Sequence, residues 1–461
     1  MTKSTTPSAA SSQGTPRASL AALGTVIHQR NVFAPVREQL TIGQKTVTHA
    51  PQDKLYDALI AILAGAHGIV EVNTRLRADV ALQRAFGRTA CAEQSSIQDT
   101  LDACTSENVE QMHQALDQIY REHSRGYRHD YVESWQLLDV DMSGLPCGPK
   151  AAFATKGYFA RVRNRRGRQL GRVSASLYDE IVTDRVFEGT TQLVTALPLL
   201  LSAAQQSLEL SIAHRARTIV RIDAGGGSLE DLNWVLRQGY QIHAKDLSSA
   251  RAGKLAETVV EWVDDPRIEG RQIGWVSADA SAYIRPVRRI AVRCRKKNGQ
   301  WGVGVLISTL DAETILTLAN LSPSEWLHPR AELLAYVYFY DQRGGGVEST
   351  LKSDKQGLGL TKRNKKRFTA QQIVTLLSTL AHNLIVWARA WLAASEPKVR
   401  RYGVVRMVRD LFVIHGRLIL NASGQIVQIV LNQAAALAAR FVDALALLLS
   451  PLHIAVNLGE T

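Results

Sequence analysis

Thr218-Ile-Val-Arg-Ile-Asp223-Ala-Gly-Gly-Gly-Ser228 is the stretch that decides the fold class. A mostly apolar, β-branched run ends in an acid, three glycines turn the chain, and a serine follows. That order reads as a strand, a turn and a helix N-cap. Glu230 and Asp231 stand in the first turn of the expected helix, where acids suit the positive end of the helix dipole. The helix runs to Gln238, Gly239 ends it, and Tyr240–Ala244 reads as the next strand. Alternating strand and helix calls for a parallel sheet, so the chain is α/β.

Working outward, Trp135-Gln-Leu-Leu-Asp-Val-Asp141 is a second run ending in acid, with Ser143-Gly144-Leu-Pro146 as its turn. Tyr158–Val162 and Ser174–Tyr178 are further candidate strands, and Thr191–Ala213 reads as a helix. From Gly253 to Leu310 strands dominate, at Gly274–Val276, Arg289–Arg295 and Gly302–Ser308. Asn298-Gly299 supplies a hairpin turn between the last two. Upstream, Leu55, Leu59, Ile62 and Leu63 repeat at helical spacing, and the helical pattern continues to about Arg121. Ser95-Ser96 and Thr105-Ser106 are candidate caps there. Phe368–Leu392 is a long helix with Thr369 as its expected cap.

The expected organisation is a disordered lead-in over 1–45 and a helical domain over 46–130, which in a chain of net charge +13 could bind DNA. An α/β core follows over 131–250, a β-rich insertion over 251–328, the second part of the core over 329–395, and a helical C-terminal region over 396–461. Ile426–Leu449 is broken by Arg440 and Asp443 and reads as a buried helix rather than a membrane span. The N-terminus lacks the apolar core of a targeting signal.

With 461 residues, 46% of them apolar, the chain can build real cores and is not a disordered polymer. Its net charge of +13 suits a partner rich in phosphate, though anionic membranes and acidic proteins attract the same charge. Cys91, Cys104, Cys147 and Cys294 form no CxxC pair and have no histidine at zinc spacing. They read as reduced thiols of a cytoplasmic protein.

Asp141 and Asp223 end candidate strands, and Glu348 opens a candidate helix. Singly, each acid is ordinary, since Asp favours turns and Glu favours exposed helix faces. Together they supply hard oxygen ligands of the kind that hold the metal ions of phosphoryl transfer. Asp139 shares the side-chain direction of Asp141 and is an alternative first acid. Asp141 is preferred because it stands nearer the strand end.

Tyr340-Asp-Gln-Arg343-Gly-Gly-Gly-Val-Glu348-Ser-Thr-Leu-Lys352-Ser-Asp-Lys355 resembles the Tyr–Arg–Glu–Lys signature around the catalytic Glu of insertion-sequence DDE transposases that carry a β-strand insertion. Gln356–Leu360, Arg363–Arg367, His382–Trp387, Arg221-Ile-Asp223 with Ser228–Leu232, and Asp139–Ser143 resemble the same group. The resemblance spans about Leu40 to Trp391. One departure is plain: four residues, Gly344 to Val347, separate Arg343 from Glu348, where the family often has three.

The resemblance implies an RNase H-like catalytic core interrupted by a β-rich insertion, with Asp141, Asp223 and Glu348 as catalytic metal ligands. It implies two Mg2+ ions, with Mn2+ able to substitute. The reaction it implies is phosphodiester cleavage at element ends, followed by attack of the freed 3′-OH on target DNA. The partners would be double-stranded DNA, at element ends and target, and a second copy of the chain on that DNA. No membrane is implied, and the protein would be nucleoid-associated in the cytoplasm. Tyr340 and Arg343 would contact a phosphate near the cut. Lys352 and Lys355, at i+4 and i+7 from Glu348, would face the same phosphates.

Two basic runs, Arg161–Arg168 and Lys362–Arg367, are expected to touch the DNA backbone, through Arg163, Arg165 and Arg166 and through Lys362, Arg363, Lys365 and Lys366. Trp301 and Trp326 could stack on an unpaired base, but a core role is the simpler expectation. Two other functions stay open: a transposase-derived DNA-binding protein with an inactive site, and a nucleotide- or S-adenosylmethionine-binding enzyme built on the Gly225–Gly227 loop.

Overall fold

The computed structural model describes residues 11–45, 48–159 and 162–460. Residues 1–10 of the expected lead-in and Arg161 of the first basic run lie outside these. The chain divides into two compact units. One comprises Met1–Ser124, Cys147–Ala152 and Lys352–Thr461, and the other Arg125–Pro146 and Phe153–Leu351.

Along the chain the strands are β1 (Ser11–Thr15), β2 (Gln136–Pro146), β3 (Thr155–Phe159), β4 (Val162–Ala175), β5 (Glu180–Glu188), β6 (Thr218–Ile222) and β7 (Gln241–Lys245). They continue with β8 (Val263–Asp264), β9 (Arg271–Trp275), β10 (Arg288–Arg295), β11 (Trp301–Ser308), β12 (Gly416–Leu420), β13 (Ile426–Asn432) and β14 (Ala455–Gly459).

The second unit is built on one mixed sheet, in the order β3-β4-β2-β6-β7-β11-β10-β9-β8, with β5 also paired to β4. β2, β4 and β5 are antiparallel neighbours, whereas β6 runs parallel to β2, and β7 parallel to β6. The turn expected at Ser143–Pro146 is instead strand, because β4 pairs with β2 as far as Pro146↔Gly167. The β-rich stretch is not separate from this sheet. β11 hydrogen-bonds directly to β7, with Ser308 opposite His243, so the Asn298-Gly299 hairpin extends the sheet past what would otherwise be an open edge.

Side chains alternate across this sheet. Leu137 of β2 and Ile219 of β6 join Ile273, Ile290 and Leu306 in the core beneath the helix Ala331–Arg343. That helix buries Leu333 through Phe339 without a break, which is why this run of its sequence carries no charge. Asp139, Asp141, Arg221 and Asp223 therefore point to the same side as Leu137 and Ile219. The helix Leu193–Ser207 packs on β4 and β5.

In the first unit the helix Phe368–Leu392 packs against Pro51–Leu63, Gln94–Ala103 and Ser106–His123. It is long and apolar enough to cross a bilayer by length and composition, and most of it is buried inside the unit. Its N-cap is Arg367, not Thr369. The helix Gln94–Ala103 is capped by Glu93 rather than by Ser95 or Ser96, whereas Thr105 caps the next helix, Ser106–His123, through the Asn108 amide.

Two expectations fail here. The lead-in is ordered from Ser11 onward. β1 pairs antiparallel with β12, Ser11 opposite Leu420 and Thr15 opposite Gly416, and the helix Ala18–Gln29 is almost wholly buried. Ser11–Thr15 is polar and glycine-containing, so its own composition gives no strand signal; the backbone of a distant strand supplies the pairing. The C-terminal region is likewise not all helical. Of the buried helix expected over Ile426–Leu449, Ile426–Asn432 is β13, flanked by β12 and β14, and Ala438–Leu449 is helix.

A Cβ on Gly227 would stand 1.8 Å from the Lys245 carbonyl oxygen, a backbone atom that cannot step aside. Gly227→Ala should lower stability by about 1–3 kcal/mol in urea unfolding. Gly253→Ala, in the helix Ser249–Ala256 with open space around the new methyl, should raise it by about 0.5–1 kcal/mol.

Candidate active site

The register brings the first two acids together. In the parallel pair β2–β6, Asp139 stands opposite Arg221 and Val140 opposite Ile222, the last pair of the ladder. One step further along each strand come Asp141 and Asp223. Asp223 is fixed locally, for its carboxylate accepts from the Gly225 amide at 2.8 Å and caps the turn that follows. Asp141 accepts from the Met142 amide at 2.8 Å.

The third acid arrives over the top of the helix Ala331–Arg343. That helix ends in a wide turn, Gly344–Glu348, in which Gly346 leaves helical dihedrals, before the helix Ser349–Gly357 begins. In an α-helix residues four apart share a face, whereas a π-type turn brings together residues five apart. Arg343 and Glu348 are five apart, and the Arg343 guanidinium reaches Glu348 at 3.2 Å. The four residues between Arg343 and Glu348 thus lie in the widened turn.

Arg343 is buried between the acids. It donates to the Val140 carbonyl at 2.8 Å and lies 3.6 Å from Asp141. Its Nε has no acceptor among the described residues. Burial works against its charge, but Asp141, then Asp139, outweigh burial and raise its pKa. Asp141 is pushed up to about 6, first by burial and then by the negative charges of Asp223 and Glu348, with Arg343 and the Met142 amide opposing. Tyr340 is half-buried, its hydroxyl pKa raised by burial and by the same three carboxylates, with Arg343 opposing.

These observations separate Asp139 from Asp141. Asp139 is fully buried and bonded by both oxygens to Arg221, at 2.6 and 2.8 Å, with Ser176 donating at 2.5 Å. It faces none of the site's open space. Asp141, although mostly buried, faces Asp223 and Glu348.

Asp141, Asp223 and Glu348 suit a divalent cation in donor chemistry, being hard oxygen ligands, and the charges of Asp223 and Glu348 bear on Asp141. Among the described residues no three such groups converge at ligand spacing, and Arg343 reaches both Asp141 and Glu348. Glu348 is 59% exposed and held there by that one ion pair among its described contacts, so it can turn toward a cation.

The remaining site residues divide. Lys352 is exposed and Lys355 half-buried on the helix Ser349–Gly357. Arg163 and Arg165 are exposed on β4, and Arg166 donates to the Ala154 carbonyl at 2.7 Å. Lys362 and Lys366 are exposed. Arg363 and Lys365 are not available to DNA. Arg363 is buried and donates to the Ala66 carbonyl and Ser378, and Lys365 is buried on Gln98. Burial lowers their pKa values, to about 10 and about 8. A charge run does not say which members turn inward.

Trp301 and Trp326 are both substantially exposed, so the core role expected for them fails. Arg293 lies between the rings of Trp262 and Trp301, 4.0 and 4.6 Å from their centres. Trp301, Lys245, Arg271, Lys296 and Tyr340 line a cavity of about 750 Å³. In the glycine loop, Gly226 and Gly227 are required by contacts with Leu193 and the Lys245 carbonyl. Asp246, the acid ending the next strand, is taken by Arg251 at 2.7 and 2.8 Å. Both are therefore used internally rather than for a nucleotide.

Sequence reasoning missed Arg221, Ser176 and His243. His243 is fully buried, bonds the Tyr336 carbonyl at 2.9 Å, and is held neutral by burial and by Arg221, its pKa lowered to about 3. An Arg inside a central strand was the available signal, because such a residue must be paired.

No family model matches the chain, and no curated protein matches it. Among solved structures the chain is similar to the piggyBac transposase, in the cryo-EM structure of its synaptic complex with hairpin DNA. The TM-score is 0.45 and the identity 12%, over 87% of this chain and 82% of that one. That likeness is too distant to transfer residues or activity.

The crowding of carboxylates predicts a stability effect. Asp141 has its folded pKa raised from 3.8 to about 6, so its contribution to stability is full below about pH 4 and is lost as pH rises through about 6. In metal-free buffer Asp141→Asn should be more stable than wild type above pH 6, by on the order of 1–3 kcal/mol. The difference should vanish near pH 4 in chemical unfolding.

Proposed function

We propose that this chain is a DNA transposase that cleaves phosphodiesters at element ends and joins the freed 3′-OH to target DNA. The observation that carries this reading is the placement of Asp141 and Asp223 one step past the last β2–β6 pair, with Glu348 linked to Asp141 through Arg343. The order β5-β4-β2-β6-β7, antiparallel in its first three strands and parallel in its last three, supports an RNase H-like core. The net charge of +13 and the exposed Arg163 and Arg165 support DNA as the partner.

In this reading Asp141, Asp223 and Glu348 hold Mg2+, for which Mn2+ can substitute. The cation, when bound, supplies Lewis acidity at the attacking and leaving oxygens of an in-line displacement. The chain does the rest by placement. Asp223 is pinned by its own turn, and Asp141 is kept in a low-dielectric place by burial. Arg343 carries a fixed positive charge and a spare Nε donor beside the position of the scissile phosphate. Tyr340, at the edge of the cavity with Trp301 and Lys245, lies where flanking nucleotides would run. Lys352 and Lys355 would neutralise neighbouring phosphates. Two copies acting on paired ends complete the reaction.

The test is Mg2+-dependent cleavage and strand transfer on DNA carrying the element's own ends. Asp223→Asn and Glu348→Gln should each lower cleavage by at least about a hundredfold, the scale lost with one electrostatic stabiliser of a transition state. DNA binding by gel shift should persist. Mutants that cut as well as wild type would remove this site from the reaction. A chain that binds DNA but never cuts would favour a transposase-derived binding protein.

Backbone contact is tested separately. Arg163→Ala with Arg165→Ala should reduce the slope of log K against log salt by roughly 2, about 0.9 per lost phosphate contact. Arg363→Ala, buried on Ala66 and Ser378, should instead show itself as lost stability.

A further inference from the structure

Each of the three carboxylates stands two residues beyond a member of one cluster packed around the Asp139 carboxylate. Asp141 follows Asp139, Asp223 follows Arg221, and Glu348 follows Gly346. Asp139 and Arg221 face each other in the β2–β6 register, and their side chains form a two-bond pair at 2.6 and 2.8 Å. Ser176 donates to the same carboxylate. Gly346 packs so closely that a Cβ there would lie 2.8 Å from Asp139 Oδ2. Arg221 also donates to the Phe339 carbonyl at 3.0 Å, inside the helix that leads to the Gly344–Glu348 turn.

On a strand, residues two apart share a face and lie one pleat apart. Fixing Asp139 against Arg221 therefore fixes Asp141 against Asp223. Seating Gly346 on the Asp139 carboxylate fixes where the chain turns before Glu348. A buried ion pair roughly breaks even in stability against apolar residues of similar size, so geometry is what this one contributes.

We infer that Asp139 and Arg221, with Ser176, are positioning residues that set the relative placement of Asp141, Asp223 and Glu348. This rests on the reading of those three as the cation-binding set. Asp139 and Arg221 touch neither cation nor DNA.

The test compares wild type with Asp139→Leu/Arg221→Met, which removes both charges at similar volume, and with Ser176→Ala and Gly346→Ala. Thermal melting establishes which variants fold. Two readouts follow: Mn2+ affinity, from the electron paramagnetic resonance signal of the free ion, and hydrogen exchange over residues 343–349. The inference expects folded variants to bind Mn2+ about 10- to 100-fold more weakly, the loss typical when groups that orient ligands are removed. It also expects faster exchange at 343–349, with the rest of the sheet unchanged. Wild-type affinity and wild-type exchange in a folded double variant would overturn it.

If the double variant does not fold, Ser176→Ala and Gly346→Ala decide the matter by the same two readouts. If Asp223→Asn binds Mn2+ as wild type does, the cation reading fails by itself. Exchange at 343–349 then decides the positioning: acceleration upholds it, and no change overturns it.

Discussion

Arg221 is the residue on which the second unit turns. A guanidinium inside a central parallel strand is costly unless its donors are satisfied, and here they are. Two go to Asp139 on the neighbouring strand and one to the Phe339 carbonyl of the covering helix. One side chain thus ties β2, β6 and the helix Ala331–Arg343 together. Opposite it on β7 stands His243, neutral and bonded to the same helix at Tyr336. The polar row Asp139–Arg221–His243 crosses three strands beneath a helix that is otherwise apolar. Misregistering β2 against β6 would bury an unpaired charge, so the Asp139–Arg221 pair specifies register as well as holding it.

That specification matters because the acids beyond it gain nothing from being close. Asp141 has its charge held back first by burial and then by Asp223 and Glu348, while Arg343 and a backbone amide act in its favour. Left to itself, such a cluster would spread apart. The sheet keeps Asp141 and Asp223 adjacent by a ladder that ends one residue before them, and the turn at Gly346 brings Glu348 across. On the proposed reading a cation would relieve that repulsion, and the holding is done by groups outside the cluster.

Much of this was legible in the sequence, for physical reasons that differ by element. The β6–turn–helix unit announced itself because strand, glycine turn and Ser228 cap are local devices. The hairpin at Asn298-Gly299 did so for the same reason. What could not be read locally was pairing at a distance. Ser11–Thr15 is polar and becomes a strand only because β12 offers its edge. The β-rich stretch looked separate because nothing in its composition says that β11 will sit beside β7. In the basic run 362–367, Arg363 and Lys365 are consumed inside the helical unit, while Lys362 and Lys366 are exposed, and charge alone does not distinguish them.

The choice between Asp139 and Asp141 shows the limit most clearly. Both lie on one face of one strand, and alternation treats them alike. What separates them is the partner strand: Asp139 meets an arginine and Asp141 meets the approach to another acid. An acid matched by a buried cation is already satisfied and has no reason to take a second one. An acid crowded by like charges is not satisfied until something positive arrives. In this chain Arg343 meets that need in part, reaching Asp141 at 3.6 Å and Glu348 at 3.2 Å, and leaves Asp223 to its backbone amide. The site is therefore balanced in structure but short of positive charge, and that shortfall is the physical ground for reading Asp141, rather than Asp139, as the acid that acts.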